Sequence, residues 1–484
     1  MRTAEGIATN KIRGGRRNEM EGAWTISDPV RRTLYMLAHV PLGVACAAMP
    51  VVGSVHCFVA LAAGVLIAAA NVSPVPASIA AGYIVGAEML WRASASGLAY
   101  EAGKYGVALV LLASLVRGGR LRPPVAALGY LLLLLASVPL AVAALPAESL
   151  RQSLAFNLSG PLSLVLCVWH FHRITLRPKD LTSVLTATAG PVLALSSYVL
   201  TNIAGMDAIV IHGDSNDQLA GGFGPNQVSA VFGWGVLAAG ALLFMTSARP
   251  WFKLALSAVA LAWLGQAAIT FSRGGIYNAA IAALAGALIL VRDPRARLRL
   301  GIGGALFLTV GLGVLLPRLD SVTDGKLSRR MLDTSLTGRD RIARGDLVLW
   351  LEHPVLGVGP GVTRYERRIA RGLPAHTEFT RLLAEHGLFG AGSLALLVLI
   401  SLRAVMKQRT VLGRAMAAAL ATWALAYMAN AAMRLAAPSF ALGLASAVIL
   451  VGAPLARGST RAAARSGDLI LYRYRRRLAR ETAE

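Results

Sequence analysis

The feature that most constrains this chain is a succession of apolar runs of roughly 18 residues or more, each long enough to cross a bilayer as a helix. Only 15% of the 484 residues are charged and 56% are hydrophobic, whereas a soluble domain has about 25% charged residues. Such a chain has too little polar surface to cover a water-soluble globule. The sequence therefore predicts an all-α, polytopic membrane protein and excludes a soluble enzyme, a disordered binder and a disulfide scaffold.

About 14 apolar segments are predicted as membrane helices. They lie at about 34–52, 54–71, 77–92, 99–116, 124–145, 154–171, 181–201, 225–246, 251–271, 275–291, 300–316, 387–402, 413–429 and 435–455. Arg92, Glu101 and Lys104 interrupt the third and fourth segments, so 12 is the alternative count. Both counts are even, and both place the two termini on the same side of the membrane.

Positive charge sets the predicted orientation. Of the 48 lysines and arginines, 31 lie in the tails and in short loops on one side, which the positive-inside rule makes cytoplasmic. This pattern accounts for the net charge of +24 without a nucleic-acid partner. The predicted parts are basic cytoplasmic tails at 1–33 and 456–484, transmembrane bundles at 34–316 and 387–455, and an outward-facing loop at 317–386.

The loop at 317–386 is long enough to need a structure or a function of its own. Thr337 and Asp340 form a capping-box pattern, which predicts a helix that ends before Pro354. A second helix is predicted to start near Pro374, since proline is favoured in a first turn. His376 is then predicted to lie in the first turn of that helix.

Two sets of arginines are candidate anion contacts. Arg273 follows Ser272 in the Thr-Phe-Ser-Arg-Gly sequence at 270–274, between two apolar spans on the outer side, where a charge is usually functional. Arg339 and Arg341 lie at a predicted helix N-terminus, and guanidinium groups match phosphate oxygens in a bidentate fork. The alternatives are an interfacial anchor at Arg273 and a solvated helix face at the other two.

His376 is the candidate general base, because imidazole is the side chain that titrates unperturbed near neutral pH. Glu378, Arg381 and Glu385 follow it at spacings of three and four, so they share one helix face. They form an ion-pair ladder or contact the substrate. Asn226 and Gln227 begin an outer helix end, where they either cap the helix or hydrogen-bond a sugar.

Several functional classes leave no trace in the sequence. There is no Walker loop for ATP, no metal-ligand spacing and no Gly-x-Ser-x-Gly nucleophile, so neither a cofactor nor a metal is predicted. Cys46, Cys57 and Cys167 lie in apolar segments and are expected to be small buried hydrophobes.

Four landmarks resemble the O-antigen ligase and O-antigen polymerase superfamily of bacterial envelope glycan enzymes, over about residues 180–400. They are Gly-Phe-Gly-Pro-Asn at 222–226, Thr-x-Ser-Arg-Gly at 270–274, the stretch from Arg339 through Trp350 and Pro354 to Gly357-x-Gly359, and the element from His376 to Glu385-x-Gly387-x-x-Gly390. One position departs from the family pattern, since Gln218 stands where many members carry arginine.

The resemblance implies a GT-C-like bundle in the bacterial inner membrane, with 317–386 as its periplasmic catalytic loop. Family members transfer a glycan from undecaprenyl diphosphate to an acceptor hydroxyl, without a metal. The acceptor is the lipid A core in ligases and another lipid-linked repeat unit in polymerases, and the membrane lipid surrounds both partners. By position, the resemblance implies that Arg273 and Arg339 hold the diphosphate and that His376 is the base. Further substrate contacts are expected from Arg341, Ser272, Asn226, Gln227, Arg381 and Glu378.

Two other functional classes remain open at this point. A flippase or transporter of lipid-linked glycans also has 12 to 14 spans, but its charges are expected to be spread through two related halves. A non-catalytic assembly or anchoring protein is expected to tolerate the loss of Arg273 and His376.

Overall fold

The computed structural model describes residues 28–94, 97–211, 214–245, 249–335 and 338–451. The predicted tails lie outside these ranges, apart from 28–33. The described α-helices are α1 (Pro29–Leu37), α2 (His39–Ala48), α3 (Pro50–Ala70), α4 (Pro74–Ala93), α5 (Ala102–Arg117), α6 (Val125–Leu135), α7 (Val138–Ala144), α8 (Ala147–Phe171), α9 (Pro178–Ala204), α10 (Pro225–Met245), α11 (Pro250–Ile269), α12 (Arg273–Leu290), α13 (Pro294–Val310), α14 (Leu316–Val322), α15 (Lys326–Leu332), α16 (Arg339–Glu352), α17 (Thr363–Glu366), α18 (Glu378–Met406), α19 (Val411–Ala431) and α20 (Ala437–Ala445). Two short strands, β1 (Thr175–Leu176) and β2 (Val448–Ile449), pair in parallel.

Ten helical segments of the described ranges are long and apolar enough to span a membrane. They are Pro50–Ala70, Val125–Ala144, Ala147–Phe171, Pro178–Ala204, Gln218–Met245, Pro250–Ile269, Arg273–Leu290, Ala296–Val322, Glu378–Met406 and Val411–Ala431. The all-α polytopic membrane fold is therefore confirmed. The number is lower than the predicted 12 to 14, because four predicted spans form shorter or less apolar helices: α1 with α2, α4, α5 and α20.

The outer surface of the bundle is apolar. Along α13, the side chains of Leu298, Ile302 and Leu306 are 64%, 64% and 65% exposed. Leaving such a stripe in water is unfavourable, at roughly 25 cal/mol per Å² of apolar surface. These side chains therefore face lipid, whereas α9 and α10 are mostly buried inside the bundle.

Close packing of α10, α12 and α19 positions the outer turn that precedes α12. Trp234 on α10 and Trp423 on α19 are fully buried, with ring centroids 4.9 Å apart. At Gly275 on α12, a Cβ atom would lie 1.9 Å from the Ser229 carbonyl oxygen of α10. Only glycine permits this contact, so it fixes how closely α12 approaches α10.

The loop after α13 begins later than predicted. A π-helical turn at Gly311–Leu315 joins α13 to α14, which continues past the predicted boundary at 316 to Val322. On the other side, the helical segment α18 from Glu378 to Met406 is interrupted at Gly387, whose φ of 59° and ψ of −133° are not helical, so two helices meet there. The predicted boundary at 386/387 lies where these two helices meet.

Two predicted helix starts are wrong in detail. The second loop helix does not start near Pro374: α18 begins at Glu378, and Thr377 caps it by accepting a hydrogen bond from Phe379 N (3.3 Å). His376 therefore lies before the helix, not in its first turn. At α16 the N-cap is Gly338, with φ 78° and no side-chain hydrogen bond, and Thr337 of the predicted capping box lies outside the described residues.

Candidate active site

The turn that carries Arg273 is held by hydrogen bonds to its backbone. Phe271 is fully buried at φ 56°, a conformation that costs energy for a residue other than glycine. Its carbonyl oxygen accepts a hydrogen bond from Arg330 Nε on α15 (3.2 Å). The next carbonyl, of Ser272, accepts one from Ser229 Oγ (2.8 Å). These contacts hold the turn in this conformation and place Arg273 at the first residue of α12.

Asn226 joins three of the landmark segments. Its Oδ1 accepts hydrogen bonds from Ser272 Oγ (2.7 Å) and from Arg339 Nη2 (3.0 Å). Arg273 Nη2 donates to the carbonyl oxygen of Ser335 (2.6 Å), in the segment that leads to α16. Residues predicted from separate motifs are thus brought together by Asn226, for which the sequence allowed either a helix cap or a sugar contact. Asn226 acts here as an organiser of the site.

Arg339 lies in a cluster of four arginines. Burial, and then the positive charges of Arg434, Arg273 and Arg330, lower the pKa of Arg339. Arginine nevertheless stays protonated at neutral pH. The arginine cluster is defined here as Arg273, Arg330, Arg339 and Arg434. Arg330 is paired with Asp333 (3.0 Å) and Asp214 (3.4 Å), so the positive charge that an anion such as a diphosphate would neutralise comes mainly from the other three.

His376 lies beside this cluster, because Arg434 Nη2 donates to the carbonyl oxygen of Ala375 (2.8 Å). Burial first, and then the positive charges of Arg434, Arg339 and Arg367, lower the pKa of His376 to about 4. The imidazole is therefore neutral at neutral pH and able to accept a proton. Sequence reasoning missed Arg434, although it is an arginine in a short apolar connection, which is the signal that identified Arg273.

The predicted ion-pair ladder is present and buried. Arg381 pairs with Glu378 (Nη2–Oε1, 2.5 Å) and with Glu385 (Nη1–Oε2, 2.5 Å). It also donates to Asn157 Oδ1 on α8 (3.2 Å). Glu385 Oε1 accepts from Gly361 N (2.9 Å), in the turn after α16. Arg381 and Glu378 thus bind each other and hold the loop against the bundle.

Residues 258–395 match the family model of O-antigen ligase. The predicted relationship to the O-antigen ligase and polymerase superfamily is confirmed. No curated protein matches the chain. The matched ligase domain contains Arg273, Arg339, His376 and Arg381, whereas Asn226 lies before it.

Residues outside the ligase domain complete the site through a buried network. Gln227 Oε1 accepts hydrogen bonds from Arg92 Nη1 on α4 (2.8 Å) and from the Tyr100 hydroxyl (3.0 Å). Arg92 pairs with Glu88, and Glu88 Oε2 accepts from Ala436 N (2.7 Å), close to Arg434. The Gln227 side-chain oxygen therefore binds protein groups. The sequence marked Arg92 only as an interruption of a span.

Two further positions lie apart from the arginine cluster. Arg341 is exposed, because residues two apart on a helix point to opposite sides and Arg339 faces Asn226. The structure thus places Arg339 beside Asn226 but leaves Arg341 away from it. Gln218 Oε1 accepts a hydrogen bond from Val210 N (3.0 Å) and stabilises its own loop.

A buried ion pair stabilises the loop between α16 and α18. Asp346 on α16 and Arg367 are both fully buried, with Oδ1 and Nε 3.3 Å apart. Thr380 on α18 donates to Asp346 Oδ2 (2.9 Å), and this hydrogen bond joins α16 to α18. Burial raises the pKa of Asp346, and the Arg367 charge opposes this shift.

Among the residues of the described ranges, no group of three or more histidine, cysteine, aspartate or glutamate side chains is arranged to hold a metal ion. The charged groups that act on the His376 imidazole are Arg434, Arg339 and Arg367.

Proposed function

We propose that this protein is a lipid-linked glycan transferase of the O-antigen ligase type, which moves a glycan from undecaprenyl diphosphate to an acceptor hydroxyl at the periplasmic face of the bacterial inner membrane. The observation that carries the proposal is the convergence at Asn226, where Ser272 and Arg339 share one oxygen while Arg273 lies in the same turn. The match of residues 258–395 to O-antigen ligase supports the reaction class.

In the proposed reaction, the acceptor oxygen attacks the anomeric carbon of the donor sugar and its proton passes to His376. The bond between that carbon and the diphosphate oxygen breaks, and its electron pair stays on the diphosphate. The negative charge that develops there is stabilised by Arg273 and Arg339, whose guanidinium groups are fixed before the reaction begins. The diphosphate is already an activated leaving group, so the step needs no ATP.

The environment of His376 suits a base that is used repeatedly. Its pKa of about 4 keeps the ring neutral before each transfer. After transfer, the imidazolium lies near Arg434 and Arg339, and this repulsion favours release of the proton to water. The resting state is thereby restored.

The test is a gel profile of surface and lipid-linked glycan in a strain whose only copy carries Arg273→Lys or His376→Ala. We expect normal expression and membrane insertion but no transfer, because lysine cannot form the bidentate fork and alanine cannot accept the proton. Arg344→Lys is the matched control, since Arg344 is 76% exposed on α16. Normal surface glycan with either substitution would refute the proposal.

A deletion strain separates the two forms of the reaction. Full-length chains stranded on undecaprenyl diphosphate indicate a ligase. Single repeat units on the carrier or on the acceptor indicate a polymerase. An unchanged profile contradicts both and points to the flippase or scaffold alternatives.

A further inference from the structure

A cavity of about 210 Å³ lies next to His376, between the start of α8, the loop before α18 and the connection between α19 and α20. Ala375 and Arg434 form part of its lining. Asn226, Arg273 and Arg339, which we assign to the diphosphate side, are not part of the lining. The cavity is therefore a second compartment, and Arg434 links it to the arginine cluster.

We propose that this cavity binds the sugar ring that carries the acceptor hydroxyl. The inference rests on the proposed function. A transfer between two glycans needs two sugar sites that meet at the base, because the attacking hydroxyl and the leaving diphosphate bind on opposite sides of the reacting carbon. The arginine cluster supplies the diphosphate side. His376 itself is not part of the lining; it follows Ala375, whose carbonyl oxygen binds Arg434, so the acceptor hydroxyl would reach the imidazole from the end of the cavity that Ala375 and Arg434 form.

The charged residues of the lining exclude a basic sugar. Arg381 is shared between Glu378 and Glu385, so this trio carries one net negative charge. Arg434 contributes one positive charge to the same cavity. Arg364 adds a second positive charge, so the lining carries one net positive charge and favours a neutral or acidic sugar over a basic one. Sugar hydroxyls both donate and accept hydrogen bonds, and carboxylates beside a guanidinium offer both functions.

The remaining lining residues fit a single pyranose ring. Phe156 on α8 and Tyr365 on α17 supply aromatic faces, which pack against the apolar C–H face of a sugar. Gln152 and Ser153 on α8 add an amide and a hydroxyl beside them. The volume of about 210 Å³ accommodates one ring and excludes a longer glycan, so the rest of the acceptor extends outside the cavity.

The test fills the cavity covalently in the full-length protein. Ser153→Cys is treated with a small and then with a bulky methanethiosulfonate reagent, and glycan transfer and binding of undecaprenyl diphosphate are measured in the same membranes. The native cysteines at 46, 57 and 167 are buried outside the cavity, whereas residue 153, although buried, lines it, so a reagent that enters the cavity reaches the introduced thiol. Ala147→Cys, at an exposed position on the same helix, is the control.

We expect the bulky adduct at residue 153 to reduce transfer by at least about tenfold, while the affinity for undecaprenyl diphosphate changes by less than about twofold. Unchanged transfer would overturn the proposal. A parallel loss of undecaprenyl diphosphate binding would also overturn it, because the cavity would then belong to the donor. The adduct on Ala147→Cys should leave both readouts unchanged.

A second variant covers the case in which Ser153→Cys does not fold. Gln152→Leu lies at an exposed position, keeps the side-chain size and removes the hydrogen bonds, so we expect about a tenfold loss of transfer with unchanged undecaprenyl diphosphate affinity. Full activity of this variant would contradict the proposal. Arg273→Lys in the same assay distinguishes a failure of the cavity assignment from a failure of the proposed function. If Arg273→Lys abolishes transfer and the cavity variants do not, the cavity assignment alone is wrong.

Discussion

The pH dependence of glycan transfer is the sharpest test of His376 as the base. An unperturbed imidazole has a pKa of about 6.5, whereas burial and the charges of Arg434, Arg339 and Arg367 lower the pKa of His376 to about 4. With a pKa near 4, about 97% of the ring is neutral at pH 5.5, against about 9% for an unperturbed ring. Between pH 7.5 and 5.5 the rate should therefore stay nearly constant, whereas an unperturbed base would lose about tenfold.

The assay measures the transfer rate in proteoliposomes from pH 3.5 to 8, with the same buffer on both sides and the folded fraction measured at each pH. Arg434→Gln removes one positive charge near the imidazole, so the acid limb should move to higher pH. The shift is partial, because burial is the larger cause and remains. Arg344→Gln, at an exposed position on α16, is the control and should leave the limb in place. A midpoint near 6.5 in the unsubstituted protein would refute the assignment.

The same pKa shift has a consequence for stability. Between about pH 6.5 and 4 the unfolded chain binds a proton at His376 and the folded chain does not. The free energy of unfolding therefore falls as the pH falls through this window. His376→Asn removes the titrating group, so its thermal unfolding midpoint should depend less on pH across this window than that of the unsubstituted protein. An identical pH dependence would contradict the lowered pKa.

Three further predictions follow from the packing and the topology. Gly275→Ala should abolish transfer, since its Cβ would lie 1.9 Å from a carbonyl oxygen of α10, whereas Gly304→Ala, with open space around it, should be active in the same glycan profile. Asp346→Ala should lower the free energy of unfolding by about 3–5 kcal/mol in chemical denaturation, because it leaves a fully buried Arg367 charge unpaired; a loss below about 1 kcal/mol would contradict this reasoning. A cysteine at Leu332, which is 81% exposed, should react with an impermeant thiol reagent in intact spheroplasts, whereas Arg409→Cys should react only after lysis.

The fold was largely predictable because its dominant signal is local. An apolar run of sufficient length forms a helix in lipid, where every backbone group must be satisfied internally, and ten of the predicted runs do so. The predicted span at 435–455 depended on hydropathy alone. There the helix ends at Ala445, and Val448 pairs with Thr175 in a strand. That pairing depends on a segment far away in sequence, which no local pattern shows.

The candidate site was predictable where a motif fixes a residue, and less so where geometry depends on helix phase. Arg273, Arg339 and His376 come from motifs and lie near one another in the structure. Arg341 shares the motif of Arg339, but it points away from Asn226 because of its position on the turn of α16. The sequence pattern alone could not give the direction in which α16 faces the bundle.

The residues matched to the family model contain most of the candidate site, but residues on either side of the match hold its side chains in place. Arg273, Arg339 and His376 lie within 258–395. The oxygen that accepts from Ser272 and Arg339 belongs to Asn226, which precedes the match. The guanidinium that binds the Ala375 carbonyl and lowers the pKa of His376 belongs to Arg434, which follows it. A chain cut to the matched residues would therefore keep Arg273, Arg339 and His376 without the side chains that order them.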